Sequence, residues 1–155
     1  MKSIEINPNN LKKAYKKAST EGKALLENLF GYDQLKFEIT DLVKSYEDAC
    51  EILGINPDVT VKCGASEDQE AIIAFAQLSI IRAALNQDWE ADWKNHNQPK
   101  YYPWFKDSGS GLSYDDFARS LTLTDVGSRL CYATPELAKY AGEQFIEIYR
   151  KFLTV

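Results

Sequence analysis

The sequence predicts an α+β fold that is mainly helical, with about four helices and a small antiparallel β element in the C-terminal half. Apolar residues recur at helical spacing in four segments of the chain. In one of them, the apolar residues between 72 and 85 surround most of the helix circumference. A helix near 66–93 is therefore expected to be central and buried. Aromatic residues, and apolar residues that alternate with polar ones, follow that helix and favour strands.

Length and charge limit the classes of protein that fit. A chain of 155 residues with 45% hydrophobic and 26% charged residues fits a single domain over 1–155. The net charge of −5 makes nucleic acid an unlikely partner, because phosphate binding depends on Lys and Arg. No signal peptide or transmembrane run is visible, and the three cysteines form no CxxC pair, which favours reduced thiols in a cytoplasm.

The first helix is expected to begin at Asn7 and to end at Gly31, where glycine is favoured. A break is possible near Ser19, which is a second candidate N-cap. Leu25 and Leu29 belong to the apolar stripe that is expected to face inward. The lysines of the opposite face are interpreted as a solvated surface.

The second and last helices have clear start and stop signals. The second is expected over residues 40–53, with Gly54 ending it and Cys50 on its apolar stripe as a small core residue. The last is expected to begin with Thr134 as N-cap and Pro135 in the first turn.

The long central helix carries a capping signature at its start. Ser66 and Gln69 have the spacing of a capping box, and the helix is expected to continue toward Trp93. Trp89 and Trp93 would then share one helix face, because they are four residues apart.

The β element is expected to have two parts. Residues 101–105 predict an edge strand or an irregular segment, because Pro103 lacks the N–H that a central strand needs. Residues 121–132 predict a hairpin with its loop at 125–127, since Leu121 and Leu123 alternate with threonines.

Catalytic motifs are absent from the sequence, which favours a protein that is not an enzyme. His96 is the only histidine, and no P-loop, HExxH, GxSxG or dinucleotide fingerprint appears. Asp88 and Asp92 have the spacing of a shared helix face, but two carboxylates alone rarely form a metal site. We therefore predict no catalytic residue, no metal site and no cofactor.

Aromatic residues are concentrated in one segment, residues 89–105. Six of these 17 residues are aromatic, against 12% in the whole chain, and polar residues lie between them. Large aromatic side chains with polar tips are typical of recognition surfaces, whereas aromatics that cap the core would give the same pattern. The candidate binding residues are Trp89, Trp93, Tyr101, Tyr102, Trp104 and, on the predicted return strand, Arg129.

Several short motifs resemble an uncharacterised family of small proteins from gut Bacteroidetes and their phages or integrated elements. The matching segments are YEDAC followed by LGI, ALN with Trp89 and the DW pair that follows it, KYYPWF, GSRLC and LAKYAGEQF. They cover most of the chain. The resemblance implies a bacterial or phage-infected cytoplasm and supplies no activity or catalytic residue.

The leading hypothesis is a non-enzymatic interaction or accessory protein of phage or mobile-element type that contacts a protein partner through residues 89–105. One alternative is a small-ligand-binding protein or an enzyme, with a pocket between the third helix and the β element. Its polar groups would include Asp88, Asp92, Tyr101 or Arg129. Another alternative is single-stranded nucleic-acid binding by stacking on aromatic rings.

Overall fold

The computed structural model describes residues 6–58, 68–109, 111–123 and 128–154, and the fold is α+β as predicted. Contacts divide the chain into two compact units, residues 1–42 and residues 43–155. The described part of the first contains α1 (Pro8–Lys17), α2 (Thr20–Phe30), α3 (Tyr32–Leu35) and α4 (Ile39–Leu42). The described part of the second contains α5 (Tyr46–Leu53), α6 (Gln69–Asn86), β1 (Lys100–Asp107), β2 (Leu112–Ser120), a 3₁₀ helix (Ser128–Leu130), α7 (Pro135–Gln144) and α8 (Ile146–Leu153). The described residues thus form eight α-helices rather than about four. The single domain over 1–155 stays a prediction.

The predicted first helix is divided into α1 and α2 at Ser19. The Ser19 hydroxyl accepts a hydrogen bond from the Gly22 N–H at 3.2 Å and caps α2, which confirms the second N-cap. Gly31, with a φ of 80°, ends α2 as predicted. Leu25 and Leu29 are 59% and 64% exposed, so the expectation that both face inward is wrong. That expectation assumed one continuous helix. The break at Ser19 means that residues of α2 no longer continue the face of α1.

The predicted second helix is also divided, because Ser45 starts a new one. The Ser45 hydroxyl accepts from the Asp48 N–H, and the Asp48 carboxylate accepts from the Ser45 N–H, both at 3.1 Å. This capping box separates α5 from α4. Gly54, with a φ of 67°, ends α5, and Cys50 is buried, as the sequence predicts.

Helix α6 is the most deeply buried helix of the second unit, but it is shorter than predicted. Leu78, Ile81 and Leu85 have no exposed surface, and the helix packs against α5, α7, α8 and the 3₁₀ helix. It ends at Asn86, and Gln87 takes a φ of 53°, which interrupts the helix before the two tryptophans. The predicted extension toward residue 93 is therefore wrong. The predicted N-cap at position 66 lies outside the described residues.

The sheet is a hairpin formed by β1 and β2, earlier in the chain than predicted. Residue 100 pairs with residue 120 and residue 107 with residue 112, and the register shifts between Trp104 and Phe105. Two glycines of the connecting loop, Gly109 and Gly111, have φ values of 84° and 100°, which suits the tight reversal between the strands.

The hairpin predicted over residues 121–132 is wrong. Residues 128–130 form the 3₁₀ helix, and Tyr132 makes one isolated antiparallel bridge with Tyr101. The predicted loop at 125–127 lies outside the described residues. The aromatic strand instead pairs with residues 112–120, which are near in the chain and need only a short loop.

Helix α7 begins as predicted and covers the hairpin. The Thr134 hydroxyl accepts from the Leu137 N–H at 3.2 Å, with proline in the first turn. Gly142 allows close packing, since a Cβ there would lie 2.5 Å from Tyr114 Cδ2 and 2.8 Å from Pro103 Cβ. The chain bends after α7, and α8 then runs on toward residue 153.

Two buried tyrosines connect α8 to the segment after the 3₁₀ helix. The hydroxyls of Tyr132 and Tyr149 lie 3.0 Å apart, and both side chains are buried. Burial, the largest cause in each case, raises the pKa of both tyrosines above the ordinary value of 10.0. The folded state therefore holds these phenols in their protonated form.

Because Tyr132 and Tyr149 are buried as neutral phenols, the protein should lose stability at alkaline pH. Because the folded pKa values are raised, the stabilisation is complete below about pH 10 and is lost as the pH rises through the folded values. Urea denaturation between neutral pH and about pH 11 checks this, and Tyr149→Phe should flatten the alkaline decline. An equally steep decline in Tyr149→Phe would contradict the assignment.

Candidate binding groove

A groove of about 340 Å³ lies beside the hairpin of the second unit. Strand β1 contributes the four successive residues 102–105 to its lining, and β2 contributes Leu112, Ala118 and Ser120. The register places Ala118 directly opposite Tyr102. Since side chains alternate along a strand, Tyr102 and Trp104 lie on the same face of the sheet. Two of the six candidate residues are thereby brought together in the groove.

The rest of the lining comes from α8 and the 3₁₀ helix. Tyr149, Phe152 and Leu153 of α8 line the groove, together with Leu130. The Phe105 ring holds this side against the sheet, with its centroid 4.8 Å from that of Tyr149. The lining combines large aromatic and aliphatic groups from elements that are far apart in sequence.

The edge of the groove exposes apolar side chains. Trp104 is 57% exposed and Leu153 is 49% exposed, although both are large and apolar. Trp104, one of the candidate binding residues, is thus accessible from solvent. Exposed apolar groups that border a concave apolar surface are typical of interaction sites rather than of an ordinary monomer surface.

Trp93 has a structural contact outside the groove lining. Its ring lies 5.2 Å from the ammonium of Lys100, a cation–π distance. Lys100 is completely buried, and its Nζ donates to the carbonyl oxygens of Asp92, of Gln98 at 2.8 Å and of Leu121 at 2.9 Å. The three N–H groups of the ammonium therefore each have a carbonyl oxygen as acceptor. Trp93 and Lys100 join the segment after α6 to the start of the hairpin.

The segment after α6 also carries Trp89, which does not line the groove either. The Trp89 side chain is half-buried, and the backbone N–H of Trp89 donates to the Asn86 carbonyl oxygen at 3.0 Å. Because α6 has ended, Trp89 and Trp93 do not share a helix face, and that expectation is wrong.

The other two candidate residues also lie away from the groove lining. Tyr101 makes an edge-to-face contact with Phe117, with centroids 5.7 Å apart, and its backbone bridges to Tyr132. Arg129 is exposed on the 3₁₀ helix instead of lying on a strand. The structure therefore separates the predicted aromatic segment into a groove part and a packing part.

Sequence reasoning missed the groove residues that come from β2, the 3₁₀ helix and the end of α8. Leu112, Ala118, Leu130 and Leu153 were not predicted as site residues, and no local pattern sets them apart. Phe152 belongs to the apolar stripe of the last helix, which is the one signal that pointed to this side. Only the tertiary arrangement brings α8 next to the hairpin.

Cys131, which follows the groove residue Leu130 in the chain, is buried. Burial, the largest cause, raises the pKa of the nearby Cys131 thiol, which lowers its thiolate fraction. Across the described ranges, no three His, Cys, Asp or Glu side chains are grouped so as to hold a metal ion. None of the helices in the described part of the chain is long and apolar enough to cross a bilayer.

Comparisons of the chain with models of known families, with curated proteins and with solved structures found no match.

Proposed function

We propose that the protein is a non-enzymatic binding module whose groove, with Trp104 at its edge, receives a segment of a partner protein. The exposure of Trp104 beside this apolar groove is the observation that carries the proposal. The family resemblance supports an accessory role in a bacterial or phage-infected cytoplasm, where such a partner would be encountered.

The exposed aromatic side chain is the first argument for a contact surface. Tryptophan buries a large area when a partner covers it and loses little conformational freedom, because it has only two side-chain torsions. Trp104 and Leu153 both keep about half of their surface open to solvent. Covering them would remove apolar area from water, which is favourable by about 25 cal/mol per Å².

The chemistry of the lining favours a polypeptide over a small molecule. Small-ligand sites enclose most of the ligand and place a few polar groups that fix its orientation. Among the lining residues, side-chain polar groups come only from Ser120 and the aromatic residues, and the Tyr149 hydroxyl already contacts Tyr132. An apolar side chain on a partner segment fits this lining, with the partner's backbone remaining at the open side.

Trp104→Ala should weaken partner binding at least tenfold without unfolding the protein. Because Trp104 is mostly exposed, its loss should change the free energy of unfolding by no more than about 1 kcal/mol. An aromatic anchor at an interface typically accounts for a tenfold or larger change in affinity, at least about 1.4 kcal/mol. The measurement is the dissociation constant for a partner purified from the native host.

Phe117→Ala is the matched control. Phe117 is 40% exposed on the same hairpin, but strand alternation places it on the face opposite to Trp104. It should leave partner binding unchanged. Equal loss of binding in both variants, or unfolding of Trp104→Ala, would contradict the proposal.

Other occupants of the groove would give distinct results. A second copy of the chain would appear as a concentration-dependent mass that Trp104→Ala removes. Single-stranded nucleic acid would appear as strongly salt-dependent binding of an oligonucleotide. Either result would mean that the groove binds that molecule and not a segment of another protein.

A further inference from the structure

One carboxylate lies directly beside the exposed tryptophan. Asp116 is the cross-strand partner of Trp104 in the β1–β2 register, and both residues are exposed. Directly opposite residues in an antiparallel pair point to the same face, with Cβ atoms about 5 Å apart. A negative group and an aromatic ring thus stand side by side at the edge of the groove.

Asp116 differs from its neighbour in its charge environment. The Asp115 carboxylate forms an ion pair with Lys106 at 2.5 Å. Within residues 6–58, 68–109, 111–123 and 128–154, the contact of the Asp116 carboxylate is with the Phe117 N–H at 2.8 Å, and no cationic side chain pairs with it. Among the described residues, this carboxylate therefore has no cationic side chain as a partner.

We infer that the partner segment carries an arginine or lysine that lies over the Trp104 ring and pairs with Asp116, next to an apolar side chain that enters the groove. This inference rests on the proposed function and names the chemistry of the partner. A cation gains from the negative face of an indole and from a carboxylate at once. The planar guanidinium of arginine suits both contacts.

The order of these groups sets the geometry of the partner motif. Trp104 and Tyr102 are two positions apart on one face, which is about 7 Å along a strand. Asp116 lies across from the first and Ala118 across from the second. The cation should therefore lie at the Trp104 end, and the apolar side chain toward Tyr102 and the small Ala118.

Selection from a random peptide library displayed on phage, with the purified full chain as bait, tests this inference. We expect enriched peptides to carry a basic residue next to a large apolar one. A selected peptide, made synthetically, should bind Asp116→Asn about threefold to fivefold more weakly, the size expected for an exposed ion pair. Its affinity for the unmodified chain should also fall with added salt.

The variants remove one negative charge each with little change of side-chain shape. Asparagine keeps the oxygen that accepts from the Phe117 N–H, so the strand should not be disturbed. Asp115→Asn is the matched control, because it removes the same charge one residue away, and it should change the affinity by less than about twofold.

The outcomes separate this inference from the proposed function. If peptides require Trp104 but show no basic residue, or bind Asp116→Asn equally well, the groove binds protein segments and the charge inference is wrong. If no enriched peptide depends on Trp104, the proposed function itself is overturned. Enrichment of acidic peptides by the unmodified chain would also contradict the inference.

Discussion

Lys100→Met is expected to lower the free energy of unfolding by about 3–5 kcal/mol. The ammonium of this fully buried lysine donates to three backbone carbonyl oxygens, those of Asp92, Gln98 and Leu121. Methionine keeps the apolar stem but leaves all three acceptors without their donor. A carbonyl that loses its partner costs about 1–3 kcal/mol where it is buried and less where water can reach it, as at the exposed residues Asp92 and Leu121.

The measurement is urea denaturation, with tryptophan fluorescence as a second readout. Trp93 stacks on the Lys100 ammonium, so the variant should also change the emission of the folded protein. Lys94→Met is the matched control, since Lys94 is exposed in the same segment and should change stability by less than about 0.5 kcal/mol. Equal denaturation midpoints for Lys100→Met and Lys94→Met would refute the structural role of the ammonium.

Helix ends were predictable from sequence where a local group determines them. Thr134 caps α7, Gly54 ends α5 and Ser19 starts α2, each through contacts within four residues. Such contacts depend on side-chain chemistry that a single sequence displays. The number of helices was less predictable, because the capping box at Ser45 divides an apolar stripe that looks continuous.

The β pairing and the end of α6 depend on contacts distant in sequence. An aromatic strand has no local feature that selects residues 112–120 as its partner over residues 121–132. Lys100 illustrates the same limit, since a lysine beside aromatic residues reads as polar surface, yet it is fully buried. Two of its acceptors lie in the segment between α6 and β1 and the third lies after β2, and no pattern of spacing predicts such an arrangement.

The candidate site was predictable only in part for the same reason. The aromatic density of residues 89–105 drew attention to Tyr102 and Trp104, two residues that line the groove. The density by itself does not distinguish these two from Trp93, which contacts Lys100, or Tyr101, which packs on Phe117. Strand alternation and the position of α8 make that distinction, and both require the tertiary fold.

Asn86→Ala is expected to destabilise the protein by about 2–4 kcal/mol. Asn86 is 5% exposed at the end of α6, and its amide nitrogen donates to the Cys131 carbonyl at 2.8 Å. Its amide oxygen accepts from the Ala133 N–H at 3.0 Å. One side chain thus satisfies two backbone groups on either side of Tyr132, the residue that bridges to β1. Alanine would leave both groups without partners in a buried region.

Asn86→Asp separates the two hydrogen bonds, because a carboxylate can accept from the Ala133 N–H but cannot donate to the Cys131 carbonyl. It should destabilise the protein at neutral pH and recover part of the loss in mild acid, where a protonated carboxyl donates again. Asn97→Ala, at an exposed position in the following segment, is the control and should lie within about 0.5 kcal/mol of the unmodified chain. Urea denaturation of the three variants tests this directly. An Asn86→Ala midpoint that matches the control would mean that α6 and the segment around Tyr132 are held together by apolar packing alone.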